Sequence, residues 1–142
     1  MNTLQNVSLL RRLGAMIYDT VLAGFSVVII ASIPAVAFQS LTGYRVPDSV
    51  MLVVYAFMTY GFFTWFWTHG GQTLGMRAWK IRVVTDKAQA LNQQQATSRF
   101  LWAIASWASL GFGFIVSLFD KEHLAWHDRY SQTRLVRVLK TA

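Results

Sequence analysis

The chain has 142 residues, of which 54% are hydrophobic and only 13% are charged, about half the charged share of an ordinary soluble domain. This composition excludes an intrinsically disordered protein. The absence of cysteine excludes a disulfide scaffold and a thiolate metal or redox site. The net charge of +7 accompanies apolar runs long enough to cross a bilayer, so we explain it first by a membrane and not by nucleic acid.

The chain has three apolar segments, residues 13–38, 50–68 and 100–119. Each is long enough to cross the hydrocarbon core as a helix, which takes about 20 residues. Tryptophans lie near the edges of the second and third segments, as is typical of the membrane–water interface. We therefore predict an all-α membrane protein with two transmembrane helices and a third hydrophobic segment, in a single domain over residues 1–142. The predicted boundaries are helix 1 at 13–38, helix 2 at 50–68, a cytoplasmic loop at 69–99, segment 3 at 100–119 and a basic tail at 120–142.

The distribution of lysine and arginine predicts the orientation. Basic residues are concentrated before residue 13, in the 69–99 loop and in the 120–142 tail, whereas Arg45 is the single basic residue between the first two segments. Because short basic loops stay in the cytoplasm, we predict a multi-pass protein of a bacterial-type inner (plasma) membrane with a cytoplasmic N-terminus. The basic tail also favours the cytoplasm, although three full crossings would place it outside.

Two short segments, residues 79–85 and 133–139, are rich in β-branched and apolar residues and are predicted to be strands. An isolated strand is marginal, so the two are predicted to pair as a small cytoplasmic two-stranded β element. They flank segment 3, and pairing requires both ends of that segment on one side of the membrane. We therefore predict a re-entrant hairpin that turns at residues 109–113, and a third span with the tail outside is the alternative.

Four short motifs follow one another along the chain. Arg12 precedes Asp19 at the start of helix 1, residues 70–77 are rich in glycine, residues 81–84 are strand-like, and residues 126–129 (Trp-His-Asp-Arg) precede the second strand. In this order and spacing the motifs resemble the RDD family of small membrane proteins, over nearly the whole chain. The resemblance implies that the arginine and the two aspartates that name the family are Arg12, Asp19 and Asp128.

The glycine motif departs from the family pattern at one position. The family commonly has lysine or arginine directly after the third glycine, Gly75, but here Met76 intervenes and Arg77 follows. Gly70, Gly71 and Gly75 are predicted to form a structural turn after helix 2. They do not form a phosphate-binding loop, because the lysine and serine or threonine of that motif are missing. Some family members are associated with cation/proton antiport, so the resemblance implies transport.

Asp19 is the acid that lies inside an apolar segment, where an unpaired carboxylate costs a few kcal/mol or more. Two roles remain open for it. As a carrier it would bind a proton or a small cation, and as a structural group it would pair with Arg12, Arg77 or Arg129. Arg12 has a simpler explanation as well, since arginine at the cytoplasmic end of a helix reaches towards the headgroups and sets orientation.

His127 and Asp128 also admit two interpretations. Histidine titrates near neutral pH, so the pair could relay protons, whereas Asp128 could cap a helix or form a structural ion pair. We favour the structural ion pair for Asp128 and no relay for His127. No metal site and no cofactor are predicted. His123 and His127 are four residues apart and would share a helix face, but no third ligand accompanies them at a suitable spacing, and His69 lies in a separate context.

The sequence predicts a non-enzyme, because no set of residues has the spacing of a catalytic site. The leading hypothesis is a transport-related protein, with cation/proton exchange through Asp19. The alternative is a non-transporting assembly or interaction subunit whose Arg12, Asp19 and Asp128 are structural ion pairs. Because two or three crossings cannot readily enclose a pathway, both hypotheses predict a homo-oligomer or a membrane partner protein. The basic residues are expected to contact anionic lipid headgroups, and no nucleic acid is expected.

Overall fold

The computed structural model describes residues 7–109, 111–120 and 124–138. In chain order the elements are α1 (Leu9–Thr42), α2 (Asp48–Thr68), α3 (Leu74–Ala78), β1 (Ile81–Thr85), α4 (Gln93–Ala108), α5 (Phe112–Phe119), α6 (Trp126–Tyr130) and β2 (Thr133–Arg137). The described part of the chain is mostly helical, and β1 and β2 form a two-stranded antiparallel sheet.

The helices α1 and α2 confirm the two predicted candidates for membrane-spanning helices. They have 34 and 21 residues, and their most apolar stretches have mean hydropathies of 2.4 and 1.5. Only 17% and 6% of the residues in those stretches are buried, so most of their aliphatic and aromatic side chains point outwards. A lipid environment favours this arrangement, whereas water would not. Each helix begins a few residues before its predicted start. The helix α1 also runs past its predicted end at residue 38 to Thr42, where Gly43 caps it with a left-handed φ of 74°.

One face of α1 is buried, and it is built mainly from small side chains. The buried residues recur every three or four positions, which is the period of one helix face. They are Arg12, Ala15, Asp19, Ala23, Val27 and Ala31. The alanines let α2 and α3 approach this face closely.

The third helical region begins earlier than the predicted start of segment 3 at residue 100, because α4 begins at Gln93. The side chain of Asn92 accepts a hydrogen bond from the backbone N–H of Gln95 at 2.8 Å, and the Gln95 side chain accepts one from the Asn92 N–H at 3.2 Å. This reciprocal capping box starts a helix within the stretch that was predicted as a loop. Residues 93–99 therefore form the polar first part of α4, ahead of the third hydrophobic segment.

The third hydrophobic segment is divided between two helices, α4 and α5, which pack against each other. The break lies at residues 109–111, within the predicted turn at 109–113, and Gly111 has a φ of 86° that favours glycine. Residue 110 lies outside the described residues. Gly113 of α5 lies against Ser106 of α4 so closely that a Cβ atom there would overlap the serine side chain.

The two predicted strands pair, and their register is Ile81 with Arg137 through Thr85 with Thr133. Residue 139, at the end of the second predicted strand, lies outside the described residues. The pairing brings the two ends of the α4–α5 region together. The hydrophobic core lies at this end of the molecule, where strand residues meet α1, α3 and α4. It consists of Val7, Ala15, Trp67, Met76, Ile81, Val83, Leu91, Ala96 and Leu135.

Candidate functional site

Asp128 is fully buried, at 0% exposure, and it binds two arginines. Its Oδ2 accepts a hydrogen bond from Nη1 of Arg12 at 2.8 Å, and its Oδ1 accepts one from Nη1 of Arg99 at 2.5 Å. The backbone N–H of Ala125 also donates to Oδ2, at 3.1 Å. One carboxylate therefore joins the start of α1 to the middle of α4 and the first turn of α6.

Hydroxyl groups extend this network into the sheet. Nη1 of Arg99 also donates to Oγ1 of Thr133, the first residue of β2, at 2.7 Å. Oγ of Ser131 lies 2.6 Å from the same Thr133 oxygen and donates to the backbone carbonyl of His127. Asp128, Thr133, Ser131 and Nη1 of Arg99 are thus linked by hydrogen bonds, which offset the cost of burying these polar groups.

The network carries an excess positive charge. Burial raises the pKa of Asp128, but the charges of Arg99, His127 and Arg12 outweigh burial and hold that pKa well below its usual range. Nε2 of His127 lies 3.5 Å from Oδ1 of Asp128. Burial lowers the pKa of His127 to about 4, against the attraction of Asp128 and with help from the two arginines. At neutral pH two guanidiniums therefore face one carboxylate and a neutral imidazole.

This electrostatic arrangement predicts that the protein loses stability in mild acid. The unfolded chain protonates His127 near its ordinary pKa of 6.5, whereas the folded protein does so only at about 4. Between these values the unfolded state binds more protons, so the free energy of unfolding falls as the pH falls from about 6.5 to about 4. Above this window the imidazole is neutral in both states and contributes no pH dependence.

The measurement is the melting temperature across this pH range for the wild type and for His127→Gln. The variant has no titrating group at this position, so its melting temperature should vary less with pH between about 6.5 and about 4. Profiles of equal slope in the two proteins would contradict a histidine that is held neutral by burial.

Asp19 forms a second polar cluster, with α3. It is 4% exposed. Its Oδ2 accepts a hydrogen bond from Oγ1 of Thr73 at 2.5 Å, and its Oδ1 accepts one from the backbone N–H of Gly75 at 2.8 Å. Thr73 is the N-cap of α3, and its hydroxyl oxygen also accepts from the N–H of Met76 at 3.2 Å. The carboxylate therefore binds α3 through neutral donors.

The arginines predicted as partners of Asp19 lie elsewhere. Arg12 pairs with Asp128, and Arg129 pairs with Asp120 at 2.7 Å. Arg77 is exposed in the last turn of α3. Within the described part of the chain no ion pair includes Asp19, so the expected structural pairing of this residue with an arginine is not observed.

The three glycines of the 70–77 motif have two different roles. Gly70 and Gly71 follow α2 with φ values of 136° and 69°, which only glycine adopts readily, and they form the turn. Gly75 instead lies inside α3, where its backbone contacts α1. A Cβ atom there would overlap the carbonyl oxygen of Ala15 and lie 2.9 Å from Cγ of Asp19. Glycine is required at this position by close packing and not by a turn.

A cavity of about 390 Å³ lies between α1, α2 and α4 and adjoins both clusters. Most of its wall is apolar, and the exceptions lie among Arg12, Asp19, Arg99 and His127 with a few hydroxyl and indole groups. The two polar clusters are therefore neighbours across one space. No group of three or more potential metal ligands occurs within residues 7–109, 111–120 and 124–138. His123 lies outside these ranges, and His69 stacks on Trp65 near the end of α2.

The family model of the RDD family matches residues 7–132. The chain belongs to the RDD family. With two apolar helices of spanning length, it is a membrane protein. The match includes the three residues that the resemblance assigned to the RDD name, Arg12, Asp19 and Asp128, and all three are buried. No curated protein and no solved structure gives a significant match.

Sequence reasoning missed two residues of the polar clusters, Thr73 and Arg99, and the role of Trp67 in the cavity wall. Arg99 was counted among the orientation-setting cations of the loop. The burial of Arg99 could have been predicted from the capping box at Asn92. A helix that begins there places Ala96, Arg99 and Ser106 on one face, and all three are buried. Thr73 directly precedes α3 as an N-cap residue, but its contact with Asp19, 54 positions earlier, has no local signal.

Proposed function

We propose that this RDD protein is a transport-related, non-enzymatic protein of a bacterial-type inner membrane, in which Asp19 exchanges a proton or a small cation. One observation carries the proposal. Asp19 is a buried carboxylate on an apolar helix, it lies in the wall of a cavity, and its contacts are neutral donors rather than an arginine. An ionisable residue in such a position is a functional candidate by default.

The contacts of Asp19 suit a group that gains and loses a proton. A carboxylate that is neutralised by arginine is held in its charged form, whereas a hydroxyl can donate or accept. When Asp19 is ionised, Thr73 donates to it. When Asp19 is protonated, its O–H can donate to the Thr73 oxygen after a rotation of the threonine hydroxyl. The two forms can therefore be held by the same neighbours.

The small number of crossings supports a homo-oligomer or a membrane partner as part of the proposal. Two spanning helices and the shorter α4–α5 hairpin are too few to surround a pathway across the bilayer alone. We place the α4–α5 hairpin in the membrane from the cytoplasmic side, with both termini cytoplasmic. The basic residues of the loops then contact anionic headgroups.

A second candidate function is a non-transporting assembly or interaction subunit. The observation that favours it is the network of Arg12, Asp128 and Arg99, in which each charge joins separate elements of the fold. If Asp19 likewise only holds α3 on α1, then Arg12, Asp19 and Asp128 all have structural roles.

Proton flux separates the two functions. Vesicles that contain only the purified protein are loaded with a cation gradient, and internal pH is recorded. We expect flux from the wild type, a fall to the protein-free level in Asp19→Asn, and no change in Asp48→Asn, which alters an exposed acid at the start of α2. Absence of flux from the wild type, or full flux from a folded Asp19→Asn variant, would contradict the transport proposal.

The proposed orientation predicts which positions share a face of the membrane. The chain has no cysteine, so single cysteines can be introduced at Tyr44, Lys87 and Gln132, which are all exposed. Because Thr85 pairs with Thr133 across the sheet, Lys87 and Gln132 should react with an impermeant thiol reagent from the cytoplasmic face. Tyr44 should react from the opposite face. Labelling of the Gln132 and Tyr44 positions from one face would contradict the hairpin.

A further inference from the structure

The geometry points to a second binding site in this cavity: we infer that it takes an acyl chain with an anionic head, and that the head binds at Arg99 and Trp67. The inference does not depend on the proposed transport through Asp19. Three observations support it: two buried hydrogen-bond donors without an acceptor in the described part of the chain, the excess positive charge of the arginine network, and the elongated apolar wall of the cavity.

The two donors are Nε of Arg99 and Nε1 of Trp67. Both side chains are buried, at 2% and 5% exposure, and both lie in the cavity wall. Neither nitrogen has a hydrogen-bond acceptor among the described residues. The guanidinium carbon of Arg99 lies 5.4 Å from the centre of the Trp67 ring, so the two side chains are neighbours in the cavity wall. Neither nitrogen can accept a hydrogen bond from the other, and a buried unmet donor costs about 1–3 kcal/mol. A head group with two or more oxygens, bound beside these side chains, can accept from both donors.

The charge of the surrounding network selects an anionic oxygen. Arg12 and Arg99 share the single carboxylate of Asp128, and His127 is neutral, so one positive charge is uncompensated within the network. Charge-assisted hydrogen bonds from a guanidinium to phosphate or carboxylate are stronger than those to a neutral acceptor. The head is therefore expected to be a phosphate or a carboxylate.

Asp19 also lies in the cavity wall, and its position is compatible with this head. It is seven residues beyond Arg12 on α1, which is about 10 Å along the helix axis. Both of its oxygens accept hydrogen bonds from the α3 side. The cationic end of the cavity and the acid are thus separated along the helix, and the head lies at the cationic end.

The rest of the cavity suits an aliphatic chain. Its α4 wall runs from Arg99 through Ala103 to Trp107, a distance of about 12 Å along the helix. Its volume of about 390 Å³ is in the range of small-ligand pockets. Ile104 and Trp107, at the far end, are also exposed on the outer surface. A chain can therefore pass from the arginines along an apolar wall towards the lipid-facing side of the protein.

Two substitutions test the site in the full-length protein. Trp67→Phe removes the indole N–H donor and keeps an aromatic side chain. Its control is Trp65→Phe, on the exposed side of the same helix. Ala103→Phe fills the cavity, and its control is Ala108→Phe, which is exposed on α4 and lies outside the cavity wall. Native mass spectrometry in maltoside micelles counts bound ligand during titration with phosphatidic acid, oleate, phosphatidylcholine or inorganic phosphate.

We expect one phosphatidic acid or oleate per chain, about tenfold or more weaker binding in Trp67→Phe and in Ala103→Phe, and unchanged binding in both controls. The tighter of the two ligands identifies the head as phosphate or carboxylate. If phosphatidylcholine binds as tightly as phosphatidic acid, the inferred preference for an anionic head is wrong. If inorganic phosphate binds as tightly as phosphatidic acid, the inferred binding of an acyl chain is wrong. The inference also fails if Trp67→Phe, with an unchanged melting temperature, binds like the wild type, or if neither anionic lipid binds.

Discussion

Replacing Asp128 with asparagine is expected to lower the free energy of unfolding by about 3–5 kcal/mol. The carboxylate is the shared partner of Arg12 and Arg99, and it is fully buried. Without its charge, two guanidiniums remain close together in a region of low dielectric with no compensating anion. The measurement is the melting temperature in detergent, followed by tryptophan fluorescence.

The matched control is Asp86→Asn, because Asp86 forms an ion pair of similar length in a different environment. Its Oδ1 accepts hydrogen bonds from Nη2 and Nε of Arg134 at 2.8 and 3.0 Å, but the Asp86 side chain is 51% exposed. Exposed pairs contribute only about 0–1 kcal/mol. Equal losses in the two variants would show that burial of the Asp128 network does not stabilise the fold.

Gly75→Ala is expected to cost about 1–3 kcal/mol through overpacking. The added methyl group would overlap the carbonyl oxygen of Ala15 and approach Cγ of Asp19 to 2.9 Å. Both neighbours belong to α1, and one of them is backbone, so the contact can be relieved only by moving α3 away. That movement would also lengthen the hydrogen bonds from Thr73 and Gly75 to Asp19.

Gly61→Ala is the control for the general effect of alanine in a helix. Gly61 lies inside α2, and a Cβ atom built there has no neighbour within 4 Å. Alanine favours a helix over glycine by up to about 1 kcal/mol, so this variant should melt at the same temperature as the wild type or slightly higher. A melting temperature of Gly75→Ala at or above that of the wild type would contradict close packing of α3 on α1.

The element pattern was largely predictable, because it depends on local sequence. Two long apolar runs specify helices, and two β-branched segments specify strands that need each other. The start of α4 was not predicted, because hydropathy alone begins the third segment at residue 100, whereas the cap at Asn92 begins the helix at Gln93.

Partner choice was not predictable in the same way. Arg12 and Asp128 are 116 positions apart, and Asp19 and Thr73 are 54 positions apart. Several arginines were available to each acid in the sequence. Only packing determines which of them reaches the carboxylate, because burial makes an unpaired charge costly and leaves room for few neighbours.

The sequence by itself determined a basic, cysteine-free membrane protein of the RDD type, with an acid placed inside its first apolar helix. Hydropathy and charge distribution are local properties, so they can be determined from the sequence without a structure. The tertiary structure decided that Arg12 and Arg99 share Asp128, that Asp19 binds α3 through neutral donors, and that an apolar cavity lies between these clusters. Those facts follow from how α1, α2 and α4 pack together, and no local pattern encodes the distance between them.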